Sequence, residues 1–107
     1  MPRNYKTRNQ FRYSKNAEAG YHPHYIFGES KDKYISLGMT THPKKKHKVY
    51  LLTETPNPKK EKKQYLHKKV FEMPKENYAK KRLQGWNFSM EDLSLIRHLK
   101  KRYRKRK

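Results

Sequence analysis

Between Lys33 and Thr40 the chain alternates, with Ile35, Leu37 and Met39 on one side and Tyr34, Ser36, Gly38 and Thr40 on the other. That period of two predicts a strand. Just upstream, His24-Tyr25-Ile26-Phe27 is a short β-prone run and Gly28 to Asp32 supplies turn residues, so the two segments predict a hairpin. After a loop over Pro43 to Lys46, the run Lys48-Val49-Tyr50-Leu51-Leu52-Thr53 predicts a third strand, and its continuous apolar character places it near the sheet centre. Pro56-Asn57-Pro58 cannot feed a ladder, so Glu54 to Lys63 is expected as an exposed connection. Gln64 to Phe71 reads as a fourth strand, ended by Pro74.

The period then changes. Ser89, followed three residues later by Asp92, forms a capping-box-like start, and Phe88 before it can pack on Leu93. Leu93, Ile96, Leu99 and Tyr103 recur at three and four, which predicts a helix with one docked face and charge on the other. Trp86, after Gly85, is expected as a lid on the core. Met1 to Gly20 shows neither period and is expected as a flexible basic arm. The predicted fold is therefore α+β, a small three- to four-stranded, mainly antiparallel sheet with one C-terminal helix and flexible basic termini. Residues 1–20 would be the arm, 21–99 the domain, and 100–107 a basic extension that continues the helix and contributes only Tyr103 to the apolar stripe.

Composition fits a thin core. Hydrophobic residues make up 32% of the 107 positions, against roughly 45–50% in typical globular chains. Yet the 13% aromatic content exceeds what disordered chains carry. With no Cys there are no disulfides and no thiolate zinc site. No run approaches the ~18 apolar residues of a membrane span, and the basic start is not followed by the apolar stretch of a secretory signal. A cytoplasmic setting and no membrane partner are expected.

Charge changes the picture most. Lys and Arg number 29 against 9 Asp and Glu, a net +20, where a magnitude of roughly 2–8 suffices for solubility. Such an excess gains most against a polyanion whose counterions it can release, so nucleic acid is the expected partner. The candidate phosphate-binding residues lie in runs: Lys44, Lys45, Lys46 and Lys48; Lys59, Lys60, Lys62 and Lys63; Lys68 and Lys69; then Arg97, Lys100, Lys101, Arg102, Arg104, Lys105, Arg106 and Lys107. Only one convincing helix is present, which argues against a helix-turn-helix reader of the major groove and favours RNA. An acidic protein inhibitor is a second partner that this charge would recruit.

Six His supply the remaining chemistry. Metal-independent RNA cleavage needs a base for the 2′-hydroxyl, an acid for the leaving oxygen and cations for the phosphate. His42, after Thr40 and Thr41 and beside the Lys44 run, and His67, beside Lys68 and Lys69, are the candidate catalytic residues. His22-Pro23-His24 lacks the further ligands of a metal site, so neither a metal nor another cofactor is expected. No Gly-rich phosphate loop, nucleophile elbow or zinc-finger spacing occurs. The sequence thus leaves two functions open, a non-enzymatic RNA-binding protein and a small ribonuclease of toxin type.

The order of strands with a closing helix, together with His42 after a Thr pair, resembles the small metal-independent nuclease fold of the barnase-, EndoU-, colicin- and RelE-type toxins. The resemblance spans roughly Tyr21 to Tyr103 in element order, and it implies a nuclease role at His42 and His67. Those families place helices before the sheet, which Met1 to Gly20 does not supply. In composition the chain is also similar to small basic ribosomal proteins, whose basic arms surround a minimal sheet.

Overall fold

The computed structural model of the chain describes residues 5–15, 22–45, 48–59 and 62–106. Strands β1 (Lys6–Tyr13), β2 (Pro23–Glu29), β3 (Lys33–Thr40), β4 (Val49–Leu51) and β5 (Tyr65–Pro74) form one sheet in the order β1-β2-β3-β5-β4. All pairings are antiparallel. Helix α1 (Met90–Arg106) docks on one face, giving the α+β class with one more strand than the upper expectation.

The additional strand is β1, where a flexible arm was expected. Tyr5 just before it and Phe11 within it lie on the helix side, but a register shift between Thr7 and Gln10 interrupts the pairing. A bulge of this kind conceals a period of two in the sequence. The other half of the expected arm, residues 1–4 and 16–20, lies outside the described residues.

The outer edge of β1 is covered as well. Beyond β5 a single 3-10 turn at Lys75–Asn77 reverses the chain, which then runs along β1. Lys15 N–H donates to Asn77 O at 2.6 Å, Ala79 N–H to Tyr13 O at 2.8 Å and Leu83 N–H to Phe11 O at 2.7 Å. Arg12 donates to the Ala79 carbonyl at 2.9 Å and also to that of Lys80. This segment therefore carries the chain around the sheet edge, from Tyr78 on one face to Trp86 and Phe88 on the other. It also removes an exposed strand edge.

The expected third strand is not central. Val49–Leu51 is a three-residue edge strand with Leu51 52% exposed, because β5 inserts between it and β3. Its apolar content reflects Tyr50 packing on the core and Leu52 buried just after it.

Both faces of β3 are buried. Ile35, Leu37 and Met39 join Phe11, Tyr25, Phe27, Leu66, Trp86, Phe88, Ile96, Leu99 and Tyr103 in the larger core beneath α1. At the start of that helix Ser89 Oγ accepts the Asp92 N–H at 3.2 Å, as a capping residue should. Asp92, however, does not complete a reciprocal box. Its buried carboxylate accepts the Thr53 N–H at 3.0 and 3.1 Å and the Thr53 hydroxyl at 3.0 Å, which pins the helix start to the chain after β4. Just upstream of Trp86, Gly85 has φ +77°, a conformation that favours glycine.

On the opposite face Ile26, Met73 and Tyr78 form a second, smaller core with Tyr34 and Phe71. It encloses a polar chain in which Ser36 Oγ sits 3.0 Å from His24 Nδ1 and 2.7 Å from Tyr78 OH. The His24 ring packs edge-on to Phe71 and Tyr78, and Gly38 opposite leaves it room: a Cβ there would stand 3.2 Å from His24 Cε1. Burial, with smaller contributions from His22 and His67, lowers the His24 pKa from 6.5 to about 4.

Folded His24 thus binds fewer protons than unfolded His24 at mildly acid pH. Its contribution is intact above about pH 6.5 and is lost as pH falls toward about 4, amounting to roughly 3 kcal/mol. Thermal unfolding across this window should show a steeper acid loss for the wild type than for His24→Gln, which starts less stable at neutral pH. Equal slopes would contradict the assignment.

Candidate nucleic-acid interface

From Leu93 to Lys107 the chain contains no acidic residue. Because Ile96, Leu99 and Tyr103 turn toward the sheet, the helical period sends Arg97, Lys101, Arg104 and Lys105 to the outside, and all four are exposed. They share one stripe that spans about 12 Å of helix axis. Arg102 is exposed to one side of it.

Lys100 is different. It is half-buried, with Nζ donating to Tyr25 OH at 3.1 Å and lying 5.2 Å from the Tyr25 ring centroid. Burial, followed by the neighbouring Arg104 and Arg97, lowers its pKa. It therefore covers core aromatics as well as adding charge. Tyr103 is likewise part of the fold: it is 6% exposed, donates to Glu72 at 2.6 Å and packs edge-on to Tyr5 and Phe27. α1 runs on to Arg106, and these two side chains dock its last turns on the sheet. Lys107 lies outside the described residues, and Arg106 is described only as the end of α1.

The remaining cations come from three places. Lys44 and Lys45 are exposed between β3 and β4, and Lys48 is exposed before β4. Lys59, Lys62 and Lys63 are exposed in the connection before β5, whereas Lys46 and Lys60 lie outside the described residues. Strand alternation separates the neighbours Lys68 and Lys69. Lys68 Nζ stands 4.2 Å from the Tyr50 ring on the helix side, while Lys69 lies 5.6 Å from Phe71 on the other face. A further exposed run absent from the sequence-based candidates, Lys80, Lys81 and Arg82, lies on the segment that Arg12 holds against β1. Three consecutive basic residues were the available signal, but only the edge-covering path fixes where they lie.

The histidines divide similarly. His42 is exposed after β3; its backbone N–H donates to Thr40 Oγ1 at 3.1 Å, and Thr41 Oγ1 lies 2.9 Å from its Nδ1. His67 is half-buried on β5, paired with Val49, on the face where it acts on His24. Lys69 shares that face but Lys68 does not, so one surface does not take all three as the sequence suggested. Among the described residues no group of three or more His, Cys, Asp or Glu is placed to hold a metal ion. Nor is any described helix long and apolar enough to cross a membrane.

Comparison with known proteins gives no match to a family model, a curated protein or a solved structure. The interface therefore rests on the residues themselves.

The two kinds of helix cation should separate in urea unfolding. Lys100→Ala loses a hydrogen bond and ring cover and should cost about 1 kcal/mol. Lys101→Ala and Arg104→Ala, both exposed, should stay within about 0.5 kcal/mol of wild type.

Proposed function

We propose that this chain is an RNA-binding protein that grips phosphates with the exposed cations of α1 and of the loops around β4 and β5. The outward stripe of Arg97, Lys101, Arg104 and Lys105, on a helix whose other side is anchored in the core, is the observation that carries it. A docked helix holds these charges at fixed spacing, so less conformational entropy is lost on binding than with a free tail. RNA is favoured over duplex DNA because the single α-helix of the described residues has no second helix to set it in a major groove. A cytoplasmic location, expected from the absence of Cys, and an acidic protein inhibitor, which the charge would recruit, belong to the same proposal.

Salt titration tests it. If about six phosphates are neutralised, log K should fall against log salt with a slope near −4 for single strands. Deleting the C-terminal segment would remove Tyr103 from the core, so the informative variant changes Lys101, Arg102, Arg104 and Lys105 to Gln instead. With about three of those phosphates no longer neutralised, its slope should drop to about −2 while its melting temperature changes little. Binding that is indifferent to salt would overturn the proposal.

The geometry at His42 favours a second role for the same surface, metal-independent cleavage. Thr41 anchors Nδ1 of this exposed ring beside Lys44 and Lys45, an arrangement that leaves Nε2 to take a proton from a 2′-hydroxyl. Attack on the adjacent phosphorus would form a cyclic phosphate and release the 5′-oxygen, which would take its proton from solvent, since β5 holds His67 level with the stretch between Leu37 and Met39, several residues along the chain from His42. Incubation of RNA with the protein in excess EDTA, beside His42→Ala and His67→Ala, distinguishes binder from nuclease. Fragments lost in either variant establish cleavage; intact RNA under demonstrated binding leaves the binder alone.

A further inference from the structure

A cavity of about 290 Å³ opens at the end of the sheet where β1 and β3 finish and β2 and β5 begin. Its size is close to the lower end of the roughly 300–1,000 Å³ usual for small-molecule sites. That is room for one small planar group.

The walls define the group. Tyr13 is 42% exposed, an unusual position for a large ring, and stands edge-on to Trp86 with centroids 6.3 Å apart. Gln64 is only 6% exposed, yet its side-chain carbonyl oxygen is buried without a hydrogen-bond partner. An unmade bond of this kind is costly, and a turn of the Gln64 amide that brought its oxygen to the cavity surface would let a donor on a ligand relieve it. Asn57 in the same wall accepts the Lys59 N–H at 3.0 Å through its carbonyl, so a bond from its side chain to a ligand would come from its NH₂ group. Lys62 and His22, both exposed, add cationic character. An exposed aromatic face, an unsatisfied acceptor, an amide donor and an adjacent Lys match the needs of a planar heterocycle linked to a phosphate.

We infer that this cavity receives a single unstacked nucleobase of the bound RNA, with Tyr13 stacking on its face, Gln64 and Asn57 on its edge and Lys62 on its phosphate. The inference rests on the RNA-binding function and adds to it a site that reads bases rather than charge.

Trp86 is the single tryptophan of the chain and lines the cavity, so its fluorescence reports occupancy directly. A short single-stranded RNA should change its emission saturably, whereas inorganic polyphosphate, a polyanion without bases, should bind without doing so. Tyr13→Ala and Gln64→Ala should each weaken RNA binding about tenfold with the salt slope unchanged, and Tyr13→Phe, which keeps the ring, should bind as wild type. RNA that binds with Trp86 silent and the variants unimpaired would overturn the cavity and leave the phosphate-binding surface standing. If neither polyanion binds at low salt, the phosphate-binding surface falls instead. Nucleoside monophosphates at millimolar concentration then test the cavity alone: quenching that is lost in Tyr13→Ala upholds it, and none overturns it.

Discussion

Phe11 is where the separate parts of this molecule are held together. Its ring lies 5.2 Å from Tyr25, 5.2 Å from Phe88 and 5.7 Å from Trp86, centroid to centroid, and its carbonyl accepts the Leu83 N–H. One side chain therefore ties β1 to β2, and both to the segment that leads into α1. Tilted and edge-on aromatic pairs contribute beyond the area they bury. In a chain with so few hydrophobic residues, large rings are the economical way to fill a core. The helix, and with it the basic stripe, is positioned by that cluster.

Three of the carboxylates fasten elements of the fold together. Glu29 is held between Arg8 and Lys75, each at 2.5 Å, and these bonds, Lys75 foremost, keep its pKa below the ordinary carboxylate value. Asp92 is buried against Thr53, and Glu72 takes the Tyr103 hydroxyl. Carboxylates used to fasten elements together do little to neutralise the outward cations. Lys100 both adds charge to α1 and covers the Tyr25 ring of the core.

The candidate interface was legible in the sequence as a composition and only partly as a surface. The helical period of Leu93, Ile96, Leu99 and Tyr103 already implied which cations face outward, because residues three and four apart share a face. Lys100 escaped that argument: it lies at the margin of the stripe, where a long side chain can bend back over Tyr25. Lys68 and Lys69 looked like one site, yet strand alternation sends them to opposite faces. His24 appeared as half of a weak His pair, and its burial depends on Gly38 across the hairpin, on Phe71 from β5 and on Tyr78 from beyond it.

By itself the sequence determined what depends on near neighbours. The β2–β3 hairpin, the cap at Ser89, the apolar stripe of α1 and Trp86 as a core lid all follow from residues a few positions apart. Tertiary structure alone decided which strands became neighbours. β5 inserts beside β3 and displaces β4 to the edge, since Leu37 pairs with Val70 and Met39 with Leu66 across long stretches of chain. β1 became a strand for the same reason: its bulge hides the period, and its partners are β2 and the distant 77–83 segment. Pairing of this kind is set by the burial of a whole face and the satisfaction of backbone groups along it. Those requirements are met by the folded chain as a whole and are not written into any short window of residues.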